Sequence, residues 1–126
     1  MGKGKTEAAL YASYKLLQAG KASGLYFALP TKLTSLSIHK RMLAFIDAIS
    51  TDGSTAKLVF QTSNLYMNAY SENCSPGGDW FDERKRGILA PFGVGTIDQA
   101  LMSVINVKHS SLRAFGLAGK VVIIDE

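Results

Sequence analysis

Gly2-Lys3-Gly4-Lys5-Thr6, running directly into Glu7-Ala8-Ala9-Leu10-Tyr11-Ala12-Ser13-Tyr14-Lys15-Leu16-Leu17-Gln18-Ala19, is the stretch on which the fold turns. The pattern G-x-x-x-x-G-K-[ST] marks a loop that wraps phosphate at the head of a helix. With Gly4, Lys5 and Thr6 on its last three positions, the chain holds six of the eight, the first two falling before residue 1. Glycines let the backbone curl so that successive amides point at phosphate oxygens, and the helix adds the positive end of its dipole to the same anion. Lys5 is placed to reach the β and γ phosphates as a compact charge, and the Thr6 hydroxyl to ligate Mg²⁺. A glycine-rich tail in front of an ordinary helix would read the same way. The helix itself is predicted over Lys5 to Ala19, with Gly20 as its stop.

Outward from this helix the apolar period alternates. Leu25-Tyr26-Phe27-Ala28-Leu29, between Gly24 and Pro30, is a continuous apolar run of the kind found in a strand buried on both faces. Thr31 to Ser50 reads as a second helix and Lys57 to Phe60 as a second strand. From Gln61 to Gly87 the periodicity fades around Ser75-Pro76-Gly77-Gly78 and a mixed-charge patch, predicting a surface insertion. Ile88-Leu89-Ala90 is a third strand candidate, Ile97 to Asn106 a helix, and Ser110 to Leu117 a shorter one. Val121-Val122-Ile123-Ile124 is the strongest strand, a β-branched run ending on Asp125-Glu126. Strands alternating with helices predict an α/β fold with a mostly parallel sheet between helical layers.

Composition narrows the function classes. The chain has 126 residues, 47% hydrophobic and 19% charged, the balance of one folded domain rather than a disordered tail. No run approaches a membrane span and no signal peptide is visible. One cysteine, Cys74, makes no internal disulfide and fits a reducing compartment; with two histidines it also argues against structural zinc. Residues 1–57 carry eight basic and three acidic groups, whereas residues 58–126 carry six and seven. A basic first half suits a polyanionic partner.

Asp125-Glu126 stands where an α/β sheet places reactive groups, at the carboxyl end of a buried strand. There Asp125 would hold Mg²⁺ and Glu126 polarise an attacking water as general base. An exposed acidic strand end is the ordinary alternative, but Gly4-Lys5-Thr6 supplies the complementary half of a nucleotide site. Ala28-Leu29-Pro30-Thr31 and Gly95-Thr96-Ile97-Asp98-Gln99 share one design, a strand giving way to a threonine and then a helix. Both threonines are expected on the sheet edge that carries the phosphate loop, where they could track a nucleic-acid backbone; each alone is equally an ordinary cap. His39 and His109 have no ligand-spaced partners and are read as surface or capping residues. Tyr11, Tyr14, Phe27 and Phe45 are read as core, and Trp80 and Phe81 as packing the charged loop down.

Together these motifs resemble the first motor domain of superfamily 2 helicases. Gly2-Lys3-Gly4-Lys5-Thr6-Glu7 corresponds to motif I, Ala28-Leu29-Pro30-Thr31 to motif Ia, Gly95-Thr96-Ile97-Asp98-Gln99 to motif Ib, and Asp125-Glu126 to the first half of motif II. The block Val94 to Val104, with Val107-Lys108-His109, narrows the resemblance to the CRISPR-associated helicase–nucleases of type I systems. That resemblance implies a RecA-like phosphate-loop domain incomplete at both ends, spanning residues 1–126 with residues 61–87 as a surface insertion. It implies ATP and Mg²⁺ as cofactors, with Gly2, Lys3, Gly4, Lys5, Thr6 and Glu7 around the nucleotide and Thr6 and Asp125 on the metal. It assigns hydrolysis to Lys5, Asp125 and Glu126, and DNA phosphates to Thr31 and Thr96.

The family's ATP-driven 3′→5′ translocation on single-stranded DNA, its recruitment by a crRNA-guided surveillance complex and its cytoplasmic site are implied for the whole protein. The chain shows no HD nuclease segment and no second motor domain, so the segment alone is expected to hydrolyse ATP slowly or not at all. The strand leading into the phosphate loop is not in the sequence, and an exposed hydrophobic edge beside Val121–Ile124 is the expected consequence. A general DNA or RNA helicase, and an inactive phosphate-loop binding module or gene remnant, are the competing readings.

Overall fold

The computed structural model describes residues 4–49, 56–59, 87–105 and 110–125, with 56–59 described as backbone only. Helix α1 (Lys5–Gln18) is followed by strand β1 (Gly24–Leu29), helix α2 (Lys32–Ile49) and strand β2 (Ala56–Val59). After a 3-10 turn at Gly87–Leu89 come strand β3 (Phe92–Thr96), the short helix α3 (Ile97–Leu101), helix α4 (Ser110–Leu117) and strand β4 (Lys120–Ile124). The four strands are parallel in the order β2-β3-β1-β4, as the alternating pattern requires.

β1 lies inside the sheet, buried at every position, which explains its unbroken apolar run. Its side chains alternate between two cores. Leu25, Phe27 and Leu29 pack with Leu10 of α1, Ile38, Met42 and Ile46 of α2, and Val94. Tyr26 and Ala28 face Ile88, with Leu89, Ile97, Ala100 and Leu117 around them. Fully burying Phe27 contributes about 1.5–3 kcal/mol. α1 ends where expected: Gly20, at φ 67°, turns the chain left-handed, and its amide and that of Lys21 reach back to the carbonyls of Leu17 and Leu16.

Four expectations are corrected. The third strand is Phe92–Thr96, and Ile88-Leu89-Ala90 instead forms the 3-10 turn and the bend after it. Two glycines hid that strand from a propensity reading. α3 stops at Leu101 rather than Asn106, as Ser103 and Val104 bond three residues back and the Ser103 hydroxyl takes the Ala100 carbonyl. Tyr11, expected in the core, is 61% exposed along the groove between α1 and α2, whereas His39, expected at the surface, is only 7% exposed. Cys74, Trp80, Phe81 and His109 lie outside the described residues, as does the 61–87 stretch apart from Gly87.

β4 borders the described sheet, with Val122 and Ile124 exposed. At its start the Lys120 ammonium donates to the carbonyls of Ile88 (2.6 Å) and Ala90 (2.5 Å), tying the return into β3 to the edge strand. Lys120→Met removes the donor from both oxygens and is expected to cost about 1–3 kcal/mol of stability by urea denaturation. Burial lowers the Lys120 pKa from 10.5 to about 8. Between these values the unfolded chain binds more protons than the folded one, so this residue's contribution to stability grows as pH rises through the window. The stability of wild type minus that of Lys120→Met should therefore increase from pH 8 to pH 10.5, and a flat difference would count against the assignment.

Candidate functional site

Parallel strands present all their carboxyl ends on one edge of the sheet. Leu29 of β1 is in register with Thr96 of β3, and Ala28 with both Gly95 and Ile124 of β4. Asp125 continues the ladder by one residue, its amide donating to the Ala28 carbonyl at 3.1 Å. Thr31 follows Leu29 by two residues. Asp125, Thr31 and Thr96, separated by up to 94 positions in the chain, are thereby brought to the same edge.

α1 runs back to this edge. Five residues separate its end at Gln18 from Gly24, and both the amide and the hydroxyl of Ser23 donate to Gly119 just before β4, so the C-terminal end of α1 lies by the strand starts. The helix packs on β4, and Leu10 joins Leu25, Phe27 and Leu29 in the core. At 1.5 Å per residue its fourteen residues span about 21 Å, against about 20 Å for the six residues of β1. Gly4 and Lys5 thus stand at the level of the strand ends, on the side of β4.

Gly4 takes the N-cap position of α1 at φ 68°, a left-handed conformation that a Cβ would strain, and no side chain caps the helix. The first intrahelical bond runs from Ala8 to the Gly4 carbonyl. Where Ser, Thr, Asp or Asn usually fills the cap, glycine leaves the amides of the first turn to an outside acceptor. Lys5 is exposed and Thr6 half-buried. Glu7 is paired with Arg41 of α2 at one end of an apolar groove of about 550 Å³ between the two helices. Gly2, Lys3 and Glu126 lie outside the described residues. No three His, Cys, Asp or Glu side chains among the described residues cluster to hold a metal.

Thr31 caps α2: its Oγ1 accepts the Thr34 amide at 3.2 Å and lies 3.0 Å from the Thr34 hydroxyl, which also reaches the Thr31 carbonyl at 2.8 Å. The Thr31 side chain is exposed, so capping does not withdraw it from solvent. Thr96 is the N-cap of α3 without a side-chain capping bond and is 9% exposed. Two residues missed by the sequence reading hold these junctions. The buried Ser35 hydroxyl contacts the carbonyls of Thr31 and Gly95, and the buried Tyr26 hydroxyl donates to the carbonyl of Thr96 at 3.2 Å. Burial pushes the Tyr26 pKa upward, only partly opposed by Arg113, so the hydroxyl stays protonated and able to donate. A serine four residues after a capping threonine was a legible signal for the first; a tyrosine within a strand gave none for the second.

No family model matches the chain. It is 43% identical, over an alignment 143 positions long, to the CRISPR-associated endonuclease/helicase Cas3 of Thermus thermophilus, and 37% identical, over 142 positions, to the CRISPR-associated nuclease/helicase Cas3 of Streptococcus thermophilus. Each match takes in 100% of this chain and 15% of the relative. The crystal structure of T. fusca Cas3–ATP matches with a TM-score of 0.85 at 43% identity, over 100% of this chain and 14% of that one. The fold is thus the RecA-like arrangement of that region, and the chain spans about a seventh of the length of the curated relatives it matches. No helix among the described residues is long and apolar enough to cross a membrane.

Proposed function

Because this chain is homologous throughout its length to a segment of the Cas3 helicase–nucleases, we propose that it forms the nucleotide-binding part of a motor that moves on single-stranded DNA in type I CRISPR defence. The observation that carries this reading is the shared edge: an uncapped, left-handed Gly4 opens α1 at the level of the strand ends, beside the strand that Asp125 leaves. The first-turn amides and Lys5 bind the phosphates of ATP, with Gly2, Lys3 and Glu7 flanking them. Thr6 and Asp125 offer a hydroxyl and a carboxylate, hard oxygen donors that suit Mg²⁺, an ion that takes its remaining ligands from phosphate and water. When bound, Mg²⁺ neutralises charge on the phosphates. Glu126 acts as the base toward the attacking water.

Thr31, exposed at the head of α2, meets a DNA phosphate with its hydroxyl and the amides that follow it. Thr96 offers a narrower contact at the same edge. The crRNA-guided surveillance complex is the proposed partner of the whole protein, and the cytoplasm its place of action.

ATP hydrolysis by the chain extended to the length of its relatives tests the reading. Single-stranded DNA is expected to raise the rate and RNA of the same sequence to leave it unchanged. Equal stimulation by RNA would favour a general helicase, and ATP binding without turnover under either condition would favour an inactive binding module.

A further inference from the structure

We propose that Ser35 is a positioning residue that fixes the spacing between the two strand-to-helix junctions carrying Thr31 and Thr96, so that the DNA backbone meets a preset pair of contacts. This rests on the assignment of those threonines to DNA made above. Ser35 sits one turn into α2 with no exposure at all. Its Oγ lies 2.9 Å from the Thr31 carbonyl and 3.2 Å from the Gly95 carbonyl.

The first contact is ordinary: helical serines often bond the carbonyl four residues back. The second is not local. Gly95 belongs to β3, sixty positions away, and immediately precedes Thr96. One buried hydroxyl, its single proton shared between two acceptors, therefore ties the peptide that follows Thr31 to the peptide that precedes Thr96. The Tyr26 hydroxyl, from the opposite face of the sheet, holds the next carbonyl, that of Thr96. The β3-to-α3 junction is thus gripped from both faces, and Ser35 is the grip that it shares with Thr31.

Packing alone does not call for this hydroxyl. Alanine would fill nearly the same space, and the Ser35 amide already donates to the Thr31 carbonyl at 3.1 Å. What the hydroxyl adds is a direct tie between the head of α2 and the end of β3, beyond the β1–β3 ladder that ends at Leu29 and Thr96.

The test uses the full-length protein and measures the concentration of single-stranded DNA that half-maximally stimulates ATP hydrolysis. Ser35→Ala is expected to raise it about 3- to 10-fold, the factor that one lost hydrogen bond allows, with half-saturating ATP unmoved. In a Thr31→Ala/Thr96→Ala background, itself weakened for DNA, adding Ser35→Ala is expected to change nothing further, because the contacts it positions are gone. The same added loss in that background, or a parallel shift in half-saturating ATP, would show a merely structural role and overturn the proposal. So would an unchanged DNA requirement in Ser35→Ala alone. If the double threonine variant binds DNA normally, the DNA assignment itself falls, and the role of Ser35 with it.

Discussion

Replacing Lys5 by Ala in the full-length protein is expected to lower DNA-stimulated ATP hydrolysis about 10²-fold or more, the cost of removing one preorganised charge from a phosphoryl-transfer site. Gly4 and the amides of the first turn remain in place, since the side chain of Lys5 is exposed and takes no part in the core. The loss is therefore one of binding and charge stabilisation, with no drop in thermal stability. Two measurements check it: the turnover rate, and the affinity for a fluorescent ATP analogue, which should weaken in parallel. A Lys5→Ala protein that hydrolyses ATP at the wild-type rate would remove the phosphate loop from the argument and leave α1 as an ordinary helix behind a glycine-rich tail.

Asp125→Asn is expected to act differently. The amide is close to the carboxylate in shape, so the ladder bond from the Asp125 backbone to the Ala28 carbonyl survives and the end of β4 stays where it is. The negative charge proposed to face Mg²⁺ does not. Turnover should fall about 10²- to 10³-fold while the ATP analogue still binds, and the Mg²⁺ concentration for half-maximal rate should rise. The contrast with Lys5 is the informative part: one variant fails to hold the nucleotide, and the other holds it without turning it over. A loss of analogue binding in Asp125→Asn equal to that in Lys5→Ala would mean that the two residues do not divide the work in this way.

The elements with one consistent signal along the chain were legible. α1 has Ala and Leu throughout, a cap position at Gly4 and a left-handed Gly20, and its observed span differs from the sequence reading by a single residue. β1 carries an apolar run because both its faces are covered, and α4 and β4 were found within one residue of their observed bounds. The third strand was not legible. Phe92–Thr96 owes its place to neighbours on both sides, and its two glycines carry little strand propensity of their own. The burial of Tyr11 and His39 was read the wrong way round, because hydrophobicity ranks a tyrosine inward and a histidine outward whichever face the helix turns to the sheet.

By itself the sequence determined the local chemistry: a glycine-led helix start with lysine and threonine behind it, an acidic pair after a β-branched run, and two threonines at the heads of helices. These depend on residue types a few positions apart, which a linear reading resolves. Only the tertiary structure decided that Asp125 leaves its strand beside Ala28, that Leu29 and Thr96 are level, and that Ser35 reaches across to Gly95. Those facts follow from strand order and register, which are set by burying both faces of β1 at once, and no window along the chain contains both sides of such a contact.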